Sequence, residues 1–313
     1  MQRLLAGAAT DAGGAREQNE DAVRLAEPGS PEVARHGFLA AVADGMGGHQ
    51  HGEVASRLAI ETLFAAFYAD SAQDGAAEPA IGEKLRRAFR LANERIAAEA
   101  REAGAAGGDG LLGQPGQAGR TMGTTLVAAA IVGDQLTIAN VGDSRAYLLR
   151  AESATQITQD HSLVAEQVKA GVMTPEEARE SNHRNIVTRA LGHRPKLDVD
   201  LFEIVLLPED RVILCTDGVH GSVEPEELAE VGLRGSPQEA SRALIALALE
   251  RDSTDNVTAA VVAYEPAAVA AEGVREPVAA GGSGAIVRLL IVLVIVAAII
   301  AGIAYLVLSG TFG

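Results

Sequence analysis

The chain has 313 residues, 48% of them hydrophobic, enough to bury a sizeable core in one large domain or two ordinary ones. Asp plus Glu number 42 against 26 Lys plus Arg, a formal charge of -16, which excludes non-specific attraction to nucleic acid phosphates as the basis of activity. The single Cys215 excludes an internal disulfide and, inside an apolar run, reads as a small buried hydrophobe in a reducing compartment.

From the N-terminus, MQRLLAGAATDAGG holds no apolar run long enough for a secretory signal. A strand is expected over 38–43, then helices over 53–69 and 83–103. The Gly-rich stretch 104–119 reads as a surface loop. Strands follow over 126–132, 136–140 and 146–149, the first two joined by Gly133-Asp134-Gln135, short enough only for a hairpin. Thr174-Pro175-Glu176-Glu177 starts a short helix; strands return over 201–207 and 212–215. Ser236, Pro237 and Glu239 cap a helix over 237–250, and a strand over 257–264 ends the domain. Antiparallel strand pairs with helices in separate blocks predict an α+β layered domain over residues 1–264, not a parallel βαβ sheet.

Residues 265–285 are small, Pro- and Gly-bearing and without period, as a flexible tether is. The uninterrupted apolar run 289–308, about 20 residues, is long enough as a helix to span the ~30 Å core of a bilayer. A transmembrane helix is therefore expected over 286–308, with a short tail over 309–313. Arg275 and Arg288 precede it and the tail has no Lys or Arg, which places the domain in the cytoplasm by the positive-inside rule.

The stretch ADGMGGHQHG, which begins at Ala43, admits three readings. It lacks the third glycine of a dinucleotide fingerprint and the Gly-Lys-Ser/Thr of a P-loop. His49-x-His51 has no third His or Cys nearby to complete a zinc set. A Gly-rich turn is always available, since Asp-Gly is a common turn pair. Yet acids recur beside strand ends: Asp44, Asp217 in Thr216-Asp217-Gly218, Asp255 in Asp255-Asn256, Asp143 in Gly142-Asp143-Ser144-Arg145, and Glu20-Asp21 before another short run. Like charges that converge repel unless cations lie between them, and an all-oxygen set selects Mg2+ or Mn2+ over zinc.

These residues, with Arg16-Glu17-Gln18-Asn19-Glu20-Asp21, Gly123-Thr124-Thr125 and Asp160-His161-Ser162, stand in an order that resembles the PPM-type metal-dependent Ser/Thr protein phosphatases, the protein phosphatase 2C family, in its bacterial form. The resemblance spans residues 10–264. It implies a central β-sandwich of two antiparallel sheets flanked by helices on both faces, and hydrolysis of phosphoserine and phosphothreonine by a water activated between two Mn2+ or Mg2+ ions. By the same resemblance Asp44 bridges the ions, the Gly45 carbonyl joins one, Asp217 and Asp255 join the other, and Asp21 and Glu20 hold water on them. A glycine at 45 lets the backbone oxygen approach an ion closely. Arg16 is similar to the family's phosphate clamp, a task suited to a bidentate guanidinium. Asp143 is similar to the aspartate that recruits a third ion in bacterial members, with a hairpin-turn role as the alternative. Residues 160–192, which include Ser162, are similar to the mobile flap beside the active site.

The chain departs from the family pattern at two places. Met46 stands where animal members carry a histidine proposed as general acid, leaving His49, His51 or a water to protonate the leaving group. Val219-His220 follows Thr216-Asp217-Gly218 where most relatives have leucine first. A cysteine-nucleophile phosphatase needs an arginine six positions after the cysteine, and Gly221 stands there. The expectation is thus a membrane-anchored phosphoprotein phosphatase opposing a Ser/Thr kinase; the alternative is a degenerate phosphatase fold used as a membrane-anchored binding or signalling module.

Overall fold

A computed structural model of the chain describes residues 3–47, 50–69, 79–106 and 122–265. The elements run β1 (Arg3–Asp11), β2 (Asp21–Leu25), α1 (Pro31–His36), β3 (Phe38–Met46), α2 (Gln50–Tyr68), α3 (Ile81–Ala106), β4 (Gly123–Thr124), β5 (Leu126–Val132), β6 (Gln135–Val141), β7 (Arg145–Arg150) and β8 (Ser153–Gln156). They continue through α4 (Leu163–Lys169), α5 (Pro175–Glu180), β9 (Asp200–Val205), β10 (Arg211–Cys215), α6 (Asp217–His220), α7 (Pro225–Gly232), α8 (Pro237–Glu250) and β11 (Val257–Glu265).

The strands form two antiparallel sheets, ordered β1-β11-β10-β7-β8 and β2-β3-β5-β6-β9, with β4 added to β3. Side-chain alternation explains how they stack. Val212 and Leu214 of β10, with Ala260, Val262 and Tyr264 of β11, join the core shared with β3, β5 and β6. The intervening Ile213, Cys215, Ala259 and Val261 pack instead with Leu228, Leu244 and Ala248 of α7 and α8. Helices α2 and α3 cover the other sheet through Leu63, Phe67, Leu85 and Phe89, all fully buried. Strand β3 is therefore covered on both faces, which is why 38–43 reads as a continuous apolar run.

The helix over 237–250 has the expected ends, and its capping box is made by Ser236 and Glu239. Thr174 and Glu177 make the same box on α5. The expected hairpin joins β5 to β6. Strand β3, however, does not stop at residue 43: it runs through Asp44 and Gly45, because Gly45 and Met46 pair with β4. Asp217-Gly218 opens α6. The Gly-rich loop falls mostly, and the tether and the apolar run 286–308 wholly, outside the described residues beyond their first member, Glu265. Among the described residues no helix is long and apolar enough to cross a membrane.

Candidate active site

The site forms where the two sheets meet at one end. Strands β2 and β3 pair so that Asp21 lies opposite Asp44. The backbone of Asp44 is fully engaged: its N–H donates to Thr125 Oγ1 at 2.9 Å, and its carbonyl accepts from the Thr125 N–H at 2.9 Å and Thr124 Oγ1 at 2.8 Å. Thr125 Oγ1 in turn shares a hydrogen bond of 2.6 Å with Ser144 Oγ, beside Asp143 in the β6–β7 link. From the other sheet, Asp217 opens α6 after β10, and Asp255 lies two residues before β11. Thr216 Oγ1 donates to Asp21 Oδ2 at 2.9 Å and accepts from the Thr258 N–H at 3.2 Å, joining the two sheets at the site.

Charge is concentrated here at a cost. Burial pushes Asp44 well above the usual carboxylate range, and the negative charges of Asp21, Asp217, Asp143 and Asp255 push it further. Burial also raises Asp21 to about 7, against the lowering effect of the Thr258 and Thr216 hydroxyls. Asp143 is raised to about 7 by burial and then by Asp217 and Asp160, and Asp217 to about 6 by burial and then by Asp255. Asp217 Oδ1 is buried without a hydrogen-bond partner among the described residues. A buried acceptor left unpaired beside other carboxylates fits a cation.

The donor chemistry fits a hard ion. Among the described residues no three acidic, His or Cys side chains close a cage by themselves, so an ion here would need main-chain oxygen and water as well, as Mg2+ accepts. Space for that is made by a pair of glycines. A Cβ on Gly45 would stand 2.5 Å from the Glu20 carbonyl and overlap the Gly52 backbone; a Cβ on Gly52 would overlap the Glu20 carboxylate and stand 2.9 Å from the Gly45 oxygen. Glu20 and the Gly45 carbonyl thus converge on a spot kept open at the start of α2.

Arg16 lies over the acids, with Nη2 donating to Asp255 Oδ2 at 2.8 Å. Burial lowers its pKa, but attraction to Asp255, Glu20 and Asp44 outweighs this and holds it above the usual guanidinium value. The loop bearing it is pinned by Asn256, whose Nδ2 donates to the Ala12 and Gln18 carbonyls, both at 2.9 Å, and whose Oδ1 accepts from the Glu20 N–H at 2.8 Å.

The structure therefore brings together Arg16, Glu20, Asp21, Asp44, Gly45, Asp143, Asp217 and Asp255. Ser162 is not among them: it caps α4, its Oγ accepting from the Ala165 N–H at 3.3 Å, and forms a bridge with Val187. The segment 160–192 holds α4 and α5. Met46 is half-buried, His51 is half-buried on α2, and His49 lies outside the described residues. Val219 is fully buried and packs against the α7 and α8 side of the sheet. In the sequence Gly52 carries no signal of a role, and Thr125, Thr216 and Asn256 stand only as motif members. An Asn after an Asp reads as a turn former, and only the distant loop it grips shows otherwise.

The profile of the family described as "Protein phosphatase 2C" matches residues 15–250. The "Serine/threonine phosphatase stp" of Listeria welshimeri is 35% identical over 254 residues, covering 81% of this chain and 93% of that protein. The crystal structure of the Mycobacterium tuberculosis serine/threonine phosphatase PstP/Ppp superposes with a TM-score of 0.69 at 36% identity, covering 84% of this chain and 100% of that one. A structure of the catalytic domain of the serine threonine protein phosphatase PstP in complex with two manganese ions gives a TM-score of 0.67 at 34% identity, covering 85% and 100%. With the ordered acids, the two antiparallel sheets and these likenesses in agreement, the chain belongs to the protein phosphatase 2C family of serine/threonine phosphatases.

Proposed function

We propose that this chain hydrolyses phosphoserine and phosphothreonine in proteins with two Mn2+ or Mg2+ ions. The observation that carries the reading is the crowded, mutually repelling acid cluster in which Asp217 Oδ1 has no hydrogen-bond partner among the described residues. Asp44, the Gly45 carbonyl, Asp217 and Asp255 would hold the two ions; Asp21 and Glu20 would hold their water, and Asp143 a third ion. When bound, such ions supply an acidified water and positive charge against the phosphoryl oxygens.

The chain's own groups do the rest. Arg16, more than half exposed at 52%, presents a planar fork to the phosphoryl oxygens and orients them. The Thr124, Thr125 and Ser144 hydroxyls hold Asp44 by its backbone, so its carboxylate keeps one direction. Met46 has no proton to give, so the leaving alkoxide is protonated from another group or from solvent. Cys215 is no nucleophile: it is fully buried, and burial pushes its thiol up to about 12. Retention of Asp44, Asp217 and Asp255 favours an enzyme over a degenerate binding module. Release of phosphate from a phosphothreonine peptide by the full chain, abolished by chelation and restored by Mn2+, tests the reading; release that survives chelation overturns it.

The apolar run 289–308 after Arg288 supports a single-pass anchor with residues 1–264 in the cytoplasm, joined by the tether 265–285. An anchor raises the local concentration of membrane phosphoproteins, so a membrane Ser/Thr kinase is the partner we infer. Recovery of the intact chain in the soluble fraction after a high-salt wash of membranes would contradict the anchor.

A further inference from the structure

The β6–β7 link that carries Asp143 is gripped by two histidines, His161 buried and His220 half-buried. His161 Nδ1 accepts the Gly142 N–H at 3.0 Å, so its proton sits on Nε2, which donates to Asp200 Oδ2 at 3.1 Å. Asp200 Oδ1 is held in turn by Arg189 Nη1 at 2.8 Å. His220 Nε2 lies 3.0 Å from the Asp143 carbonyl, and since a carbonyl only accepts, this nitrogen carries the proton. Both rings are thus the Nε2–H tautomer, and they hold consecutive groups of one backbone stretch.

That stretch has little room to yield. Gly142 has φ +112°, the left-handed side of the map, and a Cβ there would stand 2.5 Å from the Thr125 side chain, the same residue that holds the Asp44 backbone. Just beyond, Arg145 grips Asp160 with Nε at 2.9 Å and Nη2 at 2.7 Å. His220 lies on α6 three residues after Asp217, whose charge acts directly on Asp143. The histidine therefore joins the β6–β7 link that carries Asp143 to the helix that Asp217 opens.

We propose that His220 is a positioning residue: its Nε2–H fixes the Asp143 backbone against the Asp217 helix and so sets the separation of these two carboxylates. His161, tied to Asp200 and Arg189, fixes the same link from the other side. The inference rests on the reading of Asp143 as an ion-holding residue. Removing the His220 donor leaves the Asp143 carbonyl unpaired and weakens the ion held there, while ions held at Asp44 keep their shell.

The test is calorimetric titration of the full chain with Mn2+ alone. His220→Leu should weaken the weakest binding event about five-fold, the worth of one hydrogen bond, and leave the tighter events unchanged. His220→Gln, which places an amide N–H at the same reach, should stay within about two-fold of the original chain on the same basis. If His220→Leu does not fold, His220→Asn, too short to reach the carbonyl, takes its place. Unchanged Mn2+ binding in the donor-less variant, or equal weakening in His220→Gln, overturns the proposal; a lowered melting temperature without a change in ion affinity shows a merely structural role and also overturns it. If Asp143→Asn leaves the weakest event untouched, the failure lies in the assignment of Asp143, and the proposal falls with it.

Discussion

Arg16 and Asp255, 239 residues apart in the chain, meet through a hydrogen-bonded ion pair of 2.8 Å at the edge of the acid cluster. The pair is partly exposed, so its share of stability is small, roughly 0–1 kcal/mol. Its value lies in holding a guanidinium beside carboxylates that favour cations. Arg16→Ala is expected to lower kcat/KM on a phosphothreonine peptide about 10- to 100-fold, mainly through KM, the range of a charge-assisted bidentate contact. The melting temperature should hardly move. Steady-state kinetics beside a thermal melt check both halves, and a stability loss with unchanged kinetics would contradict the assignment.

Asp44→Asn removes a charge that burial and four neighbouring acids disfavour. The metal-free chain should therefore melt about 2–5 °C higher, while activity falls at least ~100-fold. A variant that is both less stable and fully active would show that Asp44 is not at the centre of the cluster. Differential scanning calorimetry in chelator, paired with a phosphate-release assay, decides the case.

The raised carboxylates also fix a pH dependence for the metal-free chain. Asp21 and Asp143 lie near 7 and Asp217 near 6 in the fold, against ~3.9 when unfolded. Between these values the folded state binds more protons than the unfolded one, so stability present below about pH 4 is lost as pH rises toward 7. In chelator the chain should melt higher at pH 5.5 than at pH 7.5. Added Mn2+ should reverse that order, by binding ionised carboxylates. Urea midpoints measured at both pH values, with and without Mn2+, give the comparison.

Gly52→Ala separates site geometry from helix propensity. Within a helix, Ala is favoured over Gly by about 1 kcal/mol, so a Gly52 with no role beyond α2 would be improved. Here the added methyl meets the Glu20 carboxylate and crowds the Gly45 oxygen. The expected result is a roughly ten-fold rise in the Mn2+ concentration needed for half-maximal activity, the scale of a disturbed outer-shell contact. A more stable variant with unchanged Mn2+ dependence would refute the role of this gap.

Cys215→Ser should retain phosphatase activity within about two-fold, because a fully buried thiol raised to about 12 supplies no thiolate at neutral pH. Loss of turnover in this variant with an intact near-UV spectrum would reopen cysteine chemistry.

The parts of this molecule legible in its sequence are those governed by local patterns. The α8 capping box and the apolar runs of β5 and β6 about a short Gly-Asp link state their structure within a few residues. Strand β1 does not, because its small Ala and Gly residues have weak strand preference; it is a strand because it pairs along its whole length with β11, from Arg3 opposite Glu265 to Asp11 opposite Val257. The acids of the site were legible as recurring carboxylates beside apolar runs. Their supports were not, since the hydroxyls of Thr125 and Thr216, the amide of Asn256 and the missing side chain of Gly52 act on partners far along the chain. Local pattern also leaves a turn open at Asp44-Gly45, where pairing with β4 prevails.

The most direct test of the two-ion account is a crystal structure of the protein grown with Mn2+, read from anomalous scattering. The account predicts two strong peaks flanking the Asp44 carboxylate, one reached by the Gly45 carbonyl and the other by Asp217 and Asp255. Peaks that lie elsewhere, or a single ion that does not touch Asp44, would contradict it.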